Sequence, residues 1–155
     1  TSALKGKRVV VVHPFAETIE SQYEKRTKLF ENQNILPEFE LRTVKAVQTL
    51  AGERDERFAT WFEALDYMYQ ECIKEDFDIA LIGCGAYGFP LAVQLKKAGK
   101  QAVHIGGSLQ LLFGIKGSRW DNHEIISKLY NDAWVRPAKT ETIQKSDKVE
   151  GSCYW

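Results

Sequence analysis

Residues 78–107, DIALIGCGAYGFPLAVQLKKAGKQAVHIGG, decide the fold of this 155-residue chain. They read as a buried strand, a glycine-rich turn, a helix, a second strand and two further glycines. A strand–helix–strand crossover is right-handed and places its two strands side by side and parallel. Both glycine-rich turns should therefore lie at one edge of a sheet, at the carboxyl ends of neighbouring strands. Open α/β sheets bind ligands at that edge, against helix N-termini that favour anions.

Strands and helices alternate along the rest of the chain as well. The residue pattern predicts strands at 8–13, 40–47, 78–82 and 101–105, and helices at 16–30, 58–74, 87–98, 108–115 and 122–131. Gly99 stands where a helix C-cap glycine belongs, and 52–57 reads as a charged linker. We therefore predict an α/β fold, a three-layer Rossmann-like sandwich with a mostly parallel sheet, over residues 1–136. Residues 137–155 form a C-terminal tail that is expected to dock on the domain or on a partner.

Composition and charge place the chain among ordinary globular proteins. Hydrophobic residues make up 44% of it, and 21 basic side chains balance 21 acidic ones. With no net charge, no long-range field favours nucleic acid or an anionic membrane as a partner. The apolar runs are too short to span a bilayer, and three cysteines without CxxC spacing argue against a disulfide framework or a zinc site. We therefore expect a cytoplasmic protein.

The first glycine-rich turn, residues 83–88 (GCGAYG), matches the pattern GxGxxG between a strand and a helix. In that pattern the first glycine permits a tight turn, the second lets a phosphate approach the backbone, and the third allows close helix packing. Candidate binding residues for a phosphorylated ligand are therefore Gly83, Gly85, Tyr87 and Gly88. The simpler alternative is a strand-to-helix turn that needs unusual backbone angles and binds nothing.

A nicotinamide dinucleotide is the first ligand to consider for this turn, but the fingerprint is incomplete. It requires an acidic residue about 20 positions on, at the end of the next strand, to hold the ribose hydroxyls. Here that strand ends in residues 104–107 (HIGG), with neither a carboxylate nor an arginine for a 2′-phosphate. The turn also follows the third predicted strand instead of the first. A mononucleotide, a nucleotide sugar or another phosphorylated ligand fits the sequence better than NAD.

The second turn, Gly106, Gly107 and Ser108, repeats the same arrangement on the adjacent strand. Ser108 is a candidate hydrogen-bond donor to a phosphate, and Gln110 is a candidate reader of a base or a sugar hydroxyl. Equally, the glycines could relieve crowding while Ser108 caps the helix that follows.

Polar residues elsewhere could complete a site at the same edge. His13 ends the first strand and is a candidate proton carrier or phosphate partner, although a hydrogen-bonded structural histidine fits equally well. Glu17 is a candidate general base if burial raises its pKa, but an acid in the first turn of a helix also complements the helix dipole. Lys116 and Arg119 could neutralise a diphosphate or belong to a solvated turn. No histidine or cysteine spacing indicates a metal site.

Three stretches of the sequence resemble bacterial GT-D-type glycosyltransferase domains, which are associated with surface polysaccharide and glycoprotein glycan synthesis. They are residues 80–121 (ALIGCGAYGFPLAVQLKKAGKQAVHIGGSLQLLFGIKGSRWD), 14–23 (PFAETIESQY) and 149–155 (VEGSCYW). The resemblance implies sugar transfer from a nucleotide-sugar donor, a UDP-sugar, to a glycan acceptor on a Rossmann-like fold, assisted by a divalent metal, Mn or Mg. It further implies that the donor crevice is lined by Gly83, Gly85, Tyr87, Gly88, Gly106, Gly107 and Gln110.

One departure from that family concerns the Asp-x-Glu motif that its members use for metal and diphosphate binding. No Asp-x-Glu occurs in these 155 residues. Two hypotheses follow. Either the chain, which begins with Thr1, is the C-terminal part of a longer enzyme whose upstream segment supplies the metal ligands, or it is a non-catalytic module that binds a phosphorylated ligand or a partner protein. An NAD-dependent oxidoreductase and assembly into a homo-oligomer stay open as well.

Overall fold

A four-stranded, all-parallel sheet lies at the centre of the fold. The computed structural model describes residues 1–48, 55–142 and 154. The strands are β1 (Arg8–His13), β2 (Glu40–Lys45), β3 (Ile79–Ile82) and β4 (Gln101–His104), in the order β2-β1-β3-β4. Val12 of β1 pairs in register with Ile82 of β3, and Ile82 pairs with His104 of β4. The carboxyl ends of these three strands therefore meet at one edge, as the sequence predicts.

Six α-helices accompany the sheet in the described part of the chain. They are α1 (Ala16–Tyr23), α2 (Arg26–Leu29), α3 (Trp61–Ile73), α4 (Gly88–Lys97), α5 (Leu109–Leu112) and α6 (Ser118–Asp121). Short 3₁₀ helices occupy Ser2–Leu4, Gly85–Tyr87, Gly106–Ser108, Ile126–Leu129 and Lys139–Glu141. Just beyond the last turn of α4, Gly99 has a φ of +78°, the left-handed conformation that the C-cap prediction requires.

Two apolar layers cover the sheet, one on each face. Alternate residues of β1 point to opposite sides. Val10 and Val12 join α3 and α4 in one core, and Val9 and Val11 join α1, α5 and Trp134 in the other. All four valines are at most 1% exposed, as expected for a parallel strand that is covered on both faces. The predicted three-layer α/β sandwich is confirmed.

Two of the predicted helices do not form as continuous units. The helix predicted at 16–30 is interrupted between α1 and α2, where the Tyr23 hydroxyl bonds both backbone groups of Phe39 and anchors the end of α1. The helix predicted at 122–131 gives way to a shorter 3₁₀ segment. There the His123 imidazole accepts the amide N–H groups of Ile125 and Ile126, which competes with helical backbone pairing.

Some predictions concern segments that fall outside the described residues. The linker at 52–57 and the tail at 137–155 do so in part, and Cys153 does so entirely. In the part of the chain that is described, no helix has the length and hydropathy needed to cross a membrane.

Candidate functional site at the carboxyl edge of the sheet

The ends of three neighbouring strands come together at the carboxyl edge. Gly83, directly after β3, is the point of closest approach. A Cβ atom placed on it would lie 2.7 Å from the Gly106 carbonyl oxygen, which follows β4, and 2.8 Å from the His13 ring at the end of β1. Contacts that short leave no room for a side chain. Gly83 therefore allows the two glycine-rich turns and the end of β1 to converge.

Two glycines expose their backbone at this edge. Gly85 and Gly106 have φ values of +57° and +68°, which residues with a side chain rarely adopt. A Cβ atom on either glycine would meet nothing within 4 Å, so the space beside both turns is open. Peptide N–H groups in turns of this kind form concave sites for anions. These are the two positions at which a phosphate could approach the chain.

The third glycine of the first turn and the second glycine of the second turn contact the protein itself. A Cβ atom on Gly88 would lie 2.3 Å from the His104 ring, so Gly88 lets α4 pack closely on β4, as the GxGxxG pattern indicates. A Cβ atom on Gly107 would lie 2.1 Å from the Tyr154 ring. Both glycines are therefore packing positions, and their surroundings give no support to a role in touching a ligand.

His13 is held as a neutral imidazole at the end of β1. Only 3% of the residue is exposed, and burial lowers its pKa from 6.5 to about 3. Its Nδ1 accepts the Phe15 amide N–H at 3.0 Å, so the proton of the neutral ring resides on Nε2. A pKa this low makes the ring a weak base at physiological pH, which does not favour a role as proton carrier. The structural role and donation to a phosphate are both compatible with the geometry, and the proton-carrier role stays a prediction.

His104, at the end of β4, is fixed in the opposite tautomer. Its Nδ1 lies 3.3 Å from the Ile82 carbonyl oxygen, and because a carbonyl only accepts, Nδ1 carries the proton. In the neutral form of the ring the lone pair is on Nε2, for which the described residues provide no hydrogen-bond partner. The sequence does not single out this exposed residue, because the nucleotide-binding pattern calls for a carboxylate or an arginine at the end of this strand.

The N-terminus of α1 is occupied by a carboxylate of the chain itself. Glu141, only 3% exposed, accepts the amide N–H of Glu17 at 2.8 Å, the amide N–H of Thr18 at 3.2 Å and the Thr18 hydroxyl. It therefore complements the positive end of the α1 dipole. Glu17 is 60% exposed, with its carboxylate 2.7 Å from Lys45 Nζ. The burial that the general-base prediction for Glu17 requires is absent.

Gln110 and Ser108 both donate hydrogen bonds to carbonyl groups of the protein. Gln110 is fully buried, and its Nε2 donates to the carbonyl oxygens of Lys116 at 3.1 Å and Tyr154 at 3.0 Å. Ser108 donates its hydroxyl to the Ile105 carbonyl at 3.2 Å and does not cap α5. Gln110 Oε1 is buried without a hydrogen-bond partner among the described residues, but the complete burial of the side chain does not favour contact with a base or a sugar. Ser108 does not act as the predicted helix cap, and its donation to a phosphate stays a prediction.

The cations in the turn after α5 are engaged with aromatic rings. Lys116 Nζ lies 5.2 Å from the centre of the Tyr130 ring, and the Arg119 guanidinium lies 4.9 Å from that of Tyr154. Arg119 also donates to the Tyr154 hydroxyl at 3.1 Å. Trp120 is buried, with its ring 6.1 Å from Tyr154. Both cations therefore contact aromatic rings in this turn, and their role in neutralising a diphosphate stays a prediction.

The described residues at this edge do not fit the divalent metal that the family resemblance implies. Cys84 follows β3 at this edge, and burial raises the pKa of its thiol to about 12, so it is not ionised at neutral pH. The lone pair of His13 Nδ1 is already used by a backbone N–H. Within residues 1–48, 55–142 and 154, no group of three or more histidine, cysteine, aspartate or glutamate side chains is placed to hold a metal ion.

An aromatic surface borders the first glycine-rich turn. Tyr87, within that turn, stacks on Trp61 at the start of α3, with ring centres 4.8 Å apart and ring planes 8° from parallel. Phe62 and Phe89 are 74% and 69% exposed in the first turns of α3 and α4. Tyr87 itself is buried, whereas the rings of Phe62 and Phe89 face solvent.

No protein-family model matches this chain, and searches of curated proteins and of solved structures gave no match either. The resemblance to GT-D domains therefore stays a prediction, and function has to be judged on the geometry of the edge.

Proposed function

We propose that this domain binds a nucleotide sugar at the carboxyl edge of its sheet, as the donor-binding part of a glycosyltransferase of the GT-D type. The observation that supports this most is the convergence of two bare turns, at Gly85 and Gly106, on the ends of neighbouring parallel strands. Backbone amides in such turns bind phosphates without a cationic side chain. The resemblance of residues 80–121 to GT-D domains supports sugar transfer as the reaction that the nucleotide serves.

Each group at the edge has a part in this proposal. Gly85 and Gly106 offer their peptide groups to the phosphates, and His13 offers a neutral N–H from Nε2. Gly83 and Gly88 keep the two turns and α4 close enough for one ligand to span both. The transfer step itself depends on carboxylates that the described part of this edge does not supply, such as an Asp-x-Glu segment joined to this domain.

A non-catalytic module that binds a phosphorylated ligand is the second candidate, and one observation favours it. Neither of the two residues predicted to be catalytic is well placed as a general base, because Glu17 is exposed and ion-paired and burial makes His13 a weak base, with a pKa of about 3. Such a module would bind the same nucleotides. It would show no sugar transfer even when an Asp-x-Glu segment is supplied.

Isothermal titration calorimetry with UDP, UDP-glucose and UDP-galactose, with and without Mn²⁺, tests the proposal. We expect binding by the wild type and a loss of about tenfold in affinity, or about 1.4 kcal/mol, for Gly85→Ala, because the added methyl group projects into the open space beside the turn. Gly6→Ala is the matched control. Gly6 also has a left-handed φ, of +68°, and open surroundings, but it precedes β1 at the opposite edge.

The outcomes separate the candidates. Titrations without heat of binding for every nucleotide, in either metal condition, would overturn the proposal. Equal losses of affinity in Gly85→Ala and Gly6→Ala would show that the first turn is not the binding site. Quenching of tryptophan fluorescence by NADH, in a protein that does not bind UDP, would favour an oxidoreductase.

A further inference from the structure

His104 lies at the sequence position whose side chain binds the ribose in nucleotide-binding α/β folds. In those folds an acidic side chain, about 20 residues after the first glycine and at the end of the strand after the glycine-rich helix, accepts hydrogen bonds from the ribose hydroxyls. In this chain the first glycine is Gly83, the helix is α4 and the strand is β4, whose last residue is His104. The carboxylate is missing at this place, but an acceptor is present.

The acceptor is the Nε2 atom of His104, because a hydrogen bond to the backbone places the ring proton on the other nitrogen, Nδ1. The Ile82 carbonyl oxygen, 3.3 Å from Nδ1, can only accept, so it holds the ring proton on Nδ1. In a neutral imidazole the second nitrogen then carries a lone pair and no proton. Nε2 has no partner among the described residues, and the side chain is exposed. It can therefore accept a hydrogen bond from a ligand in the way that a carboxylate oxygen does.

The packing of the ring places it beside the first glycine-rich turn. The His104 ring contacts the first residue of α4 closely, because a Cβ atom on Gly88 would lie 2.3 Å from two ring atoms. In sequence, Gly88 follows the bare Gly85 by three residues, and His104 precedes the bare Gly106 by two. A nucleotide whose phosphates lie on these two turns would have its sugar beside the end of β4.

We infer that His104 Nε2 accepts a hydroxyl hydrogen from the ribose of the bound nucleotide. This inference rests on the proposed function and adds which part of the ligand the protein recognises, namely the ribose. His13 cannot serve in this way, because its lone pair already accepts the Phe15 amide N–H and its Nε2 is a donor. A single neutral hydrogen bond gives a preference of about fivefold, within roughly two- to tenfold, for a ribonucleotide over the matching deoxynucleotide.

The test compares UDP with 2′-deoxy-UDP and 3′-deoxy-UDP by calorimetry. The wild type should bind UDP about fivefold more tightly than one of the two deoxy compounds. His104→Leu removes the acceptor and should abolish that preference while changing the affinity for the deoxy compound by less than about twofold. His104→Gln should restore part of the preference, because its side-chain oxygen can reach the position of Nε2. His123→Leu is the control, since His123 is an exposed histidine whose Nδ1 accepts backbone N–H groups after α6.

Each outcome decides the inference. A wild type that binds UDP and both deoxy compounds equally would overturn it, and so would a His104→Leu variant that keeps the wild-type preference. Both results leave the proposed function intact. If the wild type binds no nucleotide at all, both the proposed function and this inference are overturned. Thermal unfolding of the variants shows whether each one is folded before its titration is interpreted.

Discussion

The two edges of the sheet use polar chemistry in opposite ways. At the amino edge, Arg8 pairs with Asp76 at 2.8 Å and with Asp78 at 2.9 Å, and Lys100 also pairs with Asp76. These charges tie together the starts of β1, β3 and β4. At the carboxyl edge the same three strands lead into His13, His104 and the glycines of the two turns. The difference teaches that ion pairs join the strands at one edge, whereas close contacts of glycine backbone join them at the other, where the proposed anion site lies.

The pKa values of Asp78 at the amino edge and His13 at the carboxyl edge are both lowered, but for different reasons. Asp78 accepts the Arg8 amide N–H at 2.7 Å as well as its guanidinium, and these hydrogen bonds lower the pKa of Asp78 to about 2 while it stays accessible to water. His13 is shielded from water, and that shielding lowers its pKa to about 3. The comparison predicts that both edges are sensitive to acid, in different pH ranges and to different extents.

The largest expected effect is the loss of stability that His13 causes between about pH 6.5 and pH 3. In this range the unfolded chain binds a proton at His13 and the native protein does not, so the free energy of unfolding falls as the pH falls. The loss is on the order of a few kcal/mol. Urea unfolding of the wild type and of His13→Gln at pH 7, 5 and 4 measures it. The variant should be less stable at pH 7 but should change less with pH, and parallel pH profiles would contradict the account.

The second expected effect concerns the convergence of the strand ends. Gly83→Ala should lower the free energy of unfolding by roughly 1–3 kcal/mol, because the new methyl group meets a backbone carbonyl that cannot rotate away. Chemical denaturation measures the change. Gly88→Ala is a useful companion, because the His104 side chain that it meets can move and the loss should be smaller. A Gly83→Ala protein as stable as the wild type would mean that the two turns are not in close contact.

The smallest expected effect belongs to the amino edge. Asp78 has a lower pKa in the native protein than in the unfolded chain, so its contribution is present above about pH 4 and is lost as the pH falls towards 2. Asp78→Asn should therefore flatten the unfolding profile in that range only. Because the ion pairs are exposed, the effect on stability should be small and should shrink further in 1 M NaCl. A large loss of stability in Asp78→Asn that does not depend on salt would show that the Arg8–Asp78 ion pair contributes more than an exposed ion pair does.

The sequence predicts the fold well because the fold depends on patterns that are local. The β-branched run at 8–13 and the strand–turn–helix–strand order of 78–107 each determine their structure with little outside help. The helix predicted at 16–30 failed for a non-local reason. Its interruption involves the Tyr23 hydroxyl and the backbone of Phe39, which no spacing rule relates to each other.

The candidate site could be predicted only in part, because residue type does not give environment. The glycines of the two turns stand out in the sequence, but only contact distances separate Gly85, with open space beside it, from Gly107, which packs against Tyr154. His13 and His104 look alike in the sequence, and different backbone partners make one a donor and the other an acceptor. Glu141 had no local signal, since the helix end that it caps lies more than a hundred residues earlier.

The central claim is that bare peptide groups at the carboxyl edge hold the phosphates of a nucleotide. Two-dimensional ¹H–¹⁵N NMR during a titration with UDP tests it most directly. The account predicts that the amide signals of Gly85 and Gly106 shift most, while those of Gly6 and Gly99, at the amino edge, stay in place. Shifts confined to the amino edge, or unchanged signals for both Gly85 and Gly106 at saturating UDP, would contradict it.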